Sequence, residues 1–263
     1  MSAAIPPQAP AGTAGPDHTG HYSYTAYADP QMAESFDRIR FGGPIGGLLL
    51  ETQERVLLDF LGDLHGRTVL DVGTGTGRAA LTLARAGATV TGVDASREML
   101  RVAGARARAD GLSITFQEGD AHALAFPDAS FDAAISLRVL MHTPGWRVCL
   151  GELCRVARDR VVFDYPALAS VALLQSIGRR VGARFGRRVE AYRVFRHRAL
   201  VQELARHGFA VRRVHRQFVL PIALHKVFGS RRFTEGLEAG LAAAGLLRLF
   251  GSPVTVVAER CRS

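Results

Sequence analysis

The chain has 263 residues, 48% of them hydrophobic, which is enough apolar material for one globular domain with additions. No apolar run approaches the roughly 20 residues that span a bilayer, the first residues lack the charged and apolar segments of a secretion signal, and three cysteines (Cys149, Cys154, Cys261) form no disulfide or metal framework, so a reduced, cytoplasmic protein without a metal is expected. Net charge is +9 and uneven: residues 1–150 carry −4 and residues 151–263 carry +13. A basic half invites nucleic acid or an anionic membrane as partner, yet no nucleic-acid module is present and a compositional bias toward Arg accounts for much of the charge.

In chain order, residues 1–21 are rich in Ala, Pro and Gly and read as a disordered tail. Tyr22, Tyr24 and Tyr27 follow, then Phe36 and Ile39, then Gly42-Gly43-Pro44-Ile45-Gly46-Gly47, which is either a flexible joint or a tight packing point. Val56, Leu57, Phe60, Leu61 and Leu64 recur at helical spacing and predict a helix over 51–64. Strands are expected near 68–72, 89–93, 113–117, 131–137 and 160–163, with helices near 78–86, 96–109 and 146–157 between them. Ser96 is the natural N-cap of the second of these helices. That alternation implies a parallel sheet covered on both faces.

The rhythm breaks after Pro166. Residues 168–185 form an amphipathic stretch with Leu173, Leu174, Ile177, Val181 and Phe185 beside Arg179, Arg180 and Arg184. A helix over 199–207, a strand over about 209–220, a second helical stretch over 221–250 and a strand over 252–258 complete the pattern.

The densest signal is Thr68-Val69-Leu70-Asp71-Val72-Gly73-Thr74-Gly75-Thr76-Gly77-Arg78: a strand, an acid, then three glycines at alternate positions. Glycine in that density serves a sharp turn and close approach of backbone to a ligand. The next strand ends at a second acid, Asp94. A glycine loop after one strand and a carboxylate at the end of the next suit an adenosine-type cofactor. The dinucleotide pattern G-x-G-x-x-G is broken by Arg78 at the third-glycine position.

The loop resembles motif I of class I S-adenosylmethionine-dependent methyltransferases, of the ubiquinone-biosynthesis-like, small-molecule group. The resemblance continues through Gly92-Val93-Asp94-Ala95-Ser96-Arg97-Glu98-Met99-Leu100, through Glu118-Gly119-Asp120-Ala121, and through Leu124 to Asp132, covering Val69 to about Pro166 in the family's order. It implies an α/β, doubly wound, Rossmann-like and mostly parallel seven-stranded sheet ending in an antiparallel hairpin. It implies an N-terminal lid and helix over 22–67, a methyltransferase domain over 68–263, and acceptor-side insertions near 166–198 and 221–251.

For the cofactor, S-adenosyl-L-methionine, the resemblance implies contacts from Gly73, Thr74, Gly75, Gly77, Ala95, Met99, Leu137 and Arg138. Asp71 would orient the loop or meet the cofactor's amino group. Asp94 would take both ribose hydroxyls, since a carboxylate offers two acceptor oxygens. Asp120 and the Ala121 amide would meet adenine. Arg138 would pair with a carboxylate of cofactor or acceptor, or with a surface acid.

His142 is the candidate general base, with a structural histidine before Pro144 as the other reading. Asp164, Tyr165, Tyr22 and Tyr27 are expected on the acceptor side. Ser136-Leu137-Arg138-Val139 stands where base-methylating enzymes have an Asn/Asp-Pro-Pro-aromatic tetrad, which argues against amino methylation of nucleic-acid bases; a small-molecule acceptor is expected. Apolar surface beside Arg in 168–185 and 221–229 favours a lipophilic acceptor and peripheral contact with the inner face of an anionic membrane. The sequence leaves oligomeric state open. The rival readings are a nicotinamide-dependent oxidoreductase and a non-catalytic cofactor- or partner-binding protein.

Overall fold

The computed structural model of the chain describes residues 29–170 and 193–261. Tyr22, Tyr24 and Tyr27, and all but the first residues of the 168–185 stretch, lie outside the described residues.

Helix α1 (Pro30–Phe41) starts from Asp29, whose side chain accepts the Gln31 N–H, with Pro30 at the first helical position. Helix α2 (Gly43–Leu61) begins inside the glycine cluster, eight residues before the expected start. The cluster is a packing point: a Cβ on Gly46 would lie 2.2 Å from the Phe41 carbonyl carbon. Only glycine lets the two helices turn back on each other this closely.

Strand β1 (Thr68–Val72), α3 (Arg78–Arg85), β2 (Thr89–Asp94), α4 (Arg97–Ala109) and β3 (Thr115–Glu118) form the first half of the core. Strand β4 (Phe131–Ser136), a 3₁₀ turn at Leu140–His142, α5 (Trp146–Val156) and β5 (Ala157–Tyr165) follow. The last part holds α6 (His197–Arg206), β6 (Phe209–Arg216), three helices α7 (Ile222–Phe228), α8 (Arg231–Ala243) and α9 (Leu246–Phe250), and β7 (Val254–Arg260).

The seven strands run in the order β3-β2-β1-β4-β5-β7-β6, and β7 is antiparallel to both of its neighbours. The order reverses between β1 and β4, so the carboxyl ends of these two strands open a crevice.

Strand alternation sorts the core into two layers. Leu70, Val72, Ala134, Val161, Phe163, Tyr165, Val254 and Val256 face α5 and α6 through Leu150, Leu153, Leu200 and Leu204. Val69, Val90, Ala133, Ile135, Val162 and Val257 face α2 and α3 through Val56, Leu57, Phe60, Ala80 and Leu83.

Strand β6 ends four residues before the sequence-based boundary. The amides of Val219 and Leu220 donate to the Glu238 carboxylate at 2.7 and 3.0 Å instead of to a neighbouring strand. The segment after β6 is therefore drawn away from the sheet toward α8.

Candidate functional site

A cavity of about 460 Å³ opens at the crevice between β1 and β4. Its floor is the glycine loop after β1, one wall is the end of β2 and the start of α4, another is the segment 137–144 after β4, and its roof comes from α1, α2 and residues 219–223.

The three glycines have different tasks. Gly73 has φ +72°, and a Cβ there would meet Val139 Cγ2 at 2.2 Å, so it lets the loop pass against the segment after β4. Gly75 has φ +56°, and a Cβ would meet nothing within 4 Å; it borders the cavity with open space above it. Gly77, expected as a cofactor contact, is a correction: a Cβ would lie 2.9 Å from the Ala103 Cβ, and the residue does not border the cavity. It starts α3 close against α4.

Carboxylates set the loop. Asp94 accepts the Gly75 N–H at 2.8 Å with one oxygen and the Ser96 N–H at 2.9 Å with the other. The Ala95 backbone also hydrogen-bonds the carboxylate, which keeps acceptor capacity for a ligand hydroxyl. Burial raises its pKa, against the backbone amides that favour the charged form. Asp71 is 2% exposed and accepts the Thr74 hydroxyl at 2.7 Å. Burial pushes its carboxyl up to about 6 despite that hydrogen bond.

Arg78, at the position where a dinucleotide loop has glycine, borders the cavity. Its guanidinium stacks 3.5 Å from the Phe41 ring centroid, and its Nε lies 3.2 Å from Asp37. Burial lowers its pKa, and Asp37 opposes that shift. Asp37 also accepts the Thr76 hydroxyl at 3.1 Å and pairs with Arg106. One carboxylate of α1 thus ties the roof to the loop and to α4.

Arg138 has φ +65°, an uncommon conformation for a side chain of its size, costing about 1–3 kcal/mol. The buried Asp164 accepts its backbone N–H at 2.5 Å and holds it there. Burial raises the Asp164 pKa, with Arg138 opposing. Leu137 and Arg138 border the cavity as a result, as do Ala95, Met99, Ala121, Thr74 and His142. His142 ends the 3₁₀ turn, its amide donating to the Val139 carbonyl at 2.8 Å.

The Asp120 side chain accepts the His122 N–H at 2.9 Å and lies 2.7 Å from His122 Nδ1; Gly119, Ala121 and His122, not Asp120, border the cavity. Two expectations are corrected here besides Gly77, those for Asp164 and Tyr165. Asp164 points at the Arg138 backbone and not at an acceptor. Tyr165 is 1% exposed, shares the parity of Val161 and Phe163, and its hydroxyl lies 2.6 Å from His197 Nδ1 in the core. Burial raises its pKa, so it is a buried, neutral phenol. Pro166 and Ser170, just beyond, do border the cavity.

Sequence reasoning set 22–67 apart as an N-terminal lid and helix and 221–251 as an acceptor-side insertion, but named no site residue among Arg40, Phe41, Gln53, Glu54, Val219 and Leu220, which border the cavity. The signal for α1 was Asp29-Pro30, a capping acid before a first-turn proline. Among the described residues no group of His, Cys, Asp and Glu could hold a metal ion.

The residues fit an adenosine-type cofactor with an amino-acid tail. A carboxylate with free acceptor capacity stands at the end of β2, an uncovered glycine backbone forms the floor, and acid and guanidinium groups lie together at the switch point.

Residues 69–160 match the family described as methyltransferase domain. The chain is 36% identical over 141 residues to methyltransferase GfsG of Streptomyces halstedii, covering 52% of this chain and 46% of that protein. It is 40% identical over 105 residues to the demethylmenaquinone methyltransferase of Thermus thermophilus, covering 38% and 48%. Matched segments span between about a third and a half of the length of such curated relatives. In fold it is similar to magnesium protoporphyrin IX methyltransferase of Synechocystis crystallised with S-adenosylhomocysteine, with TM-score 0.65 and 22% identity over 91% of this chain and 98% of that one.

Proposed function

We propose that this chain, whose residues 69–160 belong to the methyltransferase-domain family and whose fold is that of the class I S-adenosylmethionine-dependent methyltransferases, transfers a methyl group from S-adenosylmethionine to a small, lipophilic acceptor. The observation that carries this reading is the Asp94 carboxylate clamping the Gly75 amide at the floor of the switch-point cavity. S-adenosylmethionine supplies a methyl group already activated on a sulfonium. Asp94 would bind the ribose hydroxyls, Asp71 the amino group, and Arg138 or Arg78 the carboxylate, while Met99 and Ala121 would flank the adenine.

The remaining work of the protein is positioning. Orientation of two reactants can contribute roughly 7–11 kcal/mol of barrier reduction in a displacement of this kind. The roof residues Phe36, Phe41, Leu49, Leu220 and Ile222 are apolar and would hold a lipophilic acceptor while excluding water. His142 at the cavity wall would receive the acceptor's proton at a ring nitrogen. A lipophilic acceptor also favours work at the inner face of a membrane.

The test is calorimetric titration with S-adenosylmethionine, S-adenosylhomocysteine and NADH, repeated on Asp94→Ala and Gly75→Ala. Binding of the two sulfur compounds that both variants lose is expected. Binding of NADH alone, or of none of the three, would sink the reading.

A further inference from the structure

The helical excursion between β6 and β7 carries apolar side chains on its outer surface. Val227 is 81% exposed, Phe228 52% and Phe233 48%. The Phe228 and Phe233 rings lie 5.0 Å apart, so the end of α7 and the start of α8 present one aromatic ridge. Leu249 and Phe250, at the end of α9, are exposed as well.

Cations outnumber acids at this surface, although Glu51 of α2 pairs with Arg231 at 2.7 Å. Residues 221–250 hold Lys226, Arg231, Arg232 and Arg248 against Glu235 and Glu238. Glu238 is buried, accepting from the Val219 and Leu220 amides and lying 2.8 Å from His225 Nε2. Glu235 is paired with Arg231 at 2.9 Å. Arg232 and Arg248 are exposed. The His225–Glu238 contact, with Thr234 Oγ1 3.2 Å from His225 Nδ1, fastens α7 to α8 and keeps the ridge preformed.

The ridge adjoins the cavity mouth. Ile222, Ala223 and Lys226 of α7 border the cavity, while Leu224, Val227 and Phe228 of the same helix face outward. The Lys226 ammonium donates to the Arg40 carbonyl at 3.0 Å, which joins α7 to α1. Beside Arg40, Ile39 both borders the cavity and is 55% exposed, so the mouth lies at this junction.

We propose that the ridge of Val227, Phe228 and Phe233, flanked by Lys226 and Arg232, is a docking face for a bilayer containing anionic phospholipid. Apolar tips beside cations match an interface whose depth is apolar and whose surface is negative. A second copy packed on the same face about a two-fold axis would set these cations against one another. Docked there, the cavity mouth faces the membrane, and an acceptor dissolved in lipid enters without crossing water. The face stands independently of the methyl-transfer reading.

The test is flotation of the full chain with vesicles of phosphatidylcholine alone and of phosphatidylcholine with phosphatidylglycerol. Two cations near the surface are worth about thirtyfold in partition, which is the preference expected for the anionic vesicles. Phe228→Glu is expected to abolish binding to both, and Arg232→Glu to reduce only the anionic preference. Absence of vesicle binding, equal binding to both vesicles, or binding unchanged in both variants would overturn the proposal. So would sedimentation showing a dimer that Phe228→Glu dissociates, which would assign the face to a second copy. S-adenosylhomocysteine titration of the same proteins separates the two claims: vesicle binding without cofactor binding removes the proposed activity and leaves the docking face. If Phe228→Glu fails to fold, Arg232→Glu decides.

Discussion

The Asp94 carboxylate accepts the Gly75 amide at 2.8 Å, so the end of β2 fixes the loop that leaves β1. The same carboxylate caps the approach to α4 through the Ser96 amide, at 2.9 Å. Two loops of the crevice therefore share one anionic anchor before any ligand arrives. Asp94→Asn keeps one carbonyl oxygen and turns an NH₂ toward one of the amide donors. A buried donor left without an acceptor costs about 1–3 kcal/mol. The variant is expected to melt earlier by that amount and to bind S-adenosylhomocysteine at least about tenfold more weakly, since hydrogen bonds to a charged group contribute roughly 1.5–3 kcal/mol. Chemical denaturation and calorimetry read the two effects separately.

The glycines offer a cleaner separation of folding from binding. Gly75→Ala places a methyl group in open space at φ +56°. Stability should fall only by the left-handed penalty, about 1–2 kcal/mol, while cofactor binding is lost because the methyl enters the cavity. Gly77→Ala drives a methyl to 2.9 Å from the Ala103 Cβ. Here the stability loss should be the larger one, and whatever folded protein remains should bind the cofactor nearly as the parent does. Equal effects of the two substitutions on binding would contradict the assignment of Gly77 to helix packing.

The roof is held by charge. Asp37 gathers the Thr76 hydroxyl, Arg78 and Arg106, and the side-chain partners sit 39 to 69 residues away along the chain. Asp37→Ala would leave the partly buried Arg78 without its closest carboxylate. Hydrogen exchange over 30–41 is expected to quicken, and S-adenosylhomocysteine to dissociate faster with little change in its association rate. Unchanged exchange in α1 would show that apolar packing of Phe36 and Phe41 holds the roof by itself.

The roof also shows what the sequence reading lacked: the particular side chains within the segment expected as a lid. The β–α alternation from Thr68 to Tyr165 was legible because each element carries its own apolar period and its own terminal signal, such as Ser96 before α4. Helix α1 has Ala33 as its only fully buried residue and makes its case through distant partners, so local periodicity could not announce it. Tyr165 was misread against a signal that was available. It shares parity with Val161 and Phe163, and strand alternation alone places it under α5 and α6. Asp164 acts through the Arg138 backbone, a contact created by a left-handed turn that no residue type there advertises.

Asp71 gives the site a pH signature. Its folded pKa is raised from 3.8 to about 6, chiefly by burial. The folded state therefore holds the Asp71 proton more tightly than the unfolded chain does. The stabilisation from this group is complete below pH 3.8 and is lost as pH rises through about 6. Binding runs the other way: if the carboxylate meets the cofactor's ammonium group, the ionised form is the one that binds. Affinity for S-adenosylhomocysteine should rise by up to about tenfold per pH unit below pH 6 and level off above it, with a proton released on binding in the rising range. Calorimetry across pH 5 to 8 in buffers of different ionisation enthalpy measures both quantities. Asp94, His122 and His142 also border the cavity, so Asp71→Asn is the control. It should be more stable than the parent above pH 6 relative to its own value at pH 4, and its affinity should lose the Asp71-dependent slope. A slope that survives in Asp71→Asn would move the titration to another cavity group, first of all Asp94, whose carboxyl burial also raises, and place the ammonium group elsewhere.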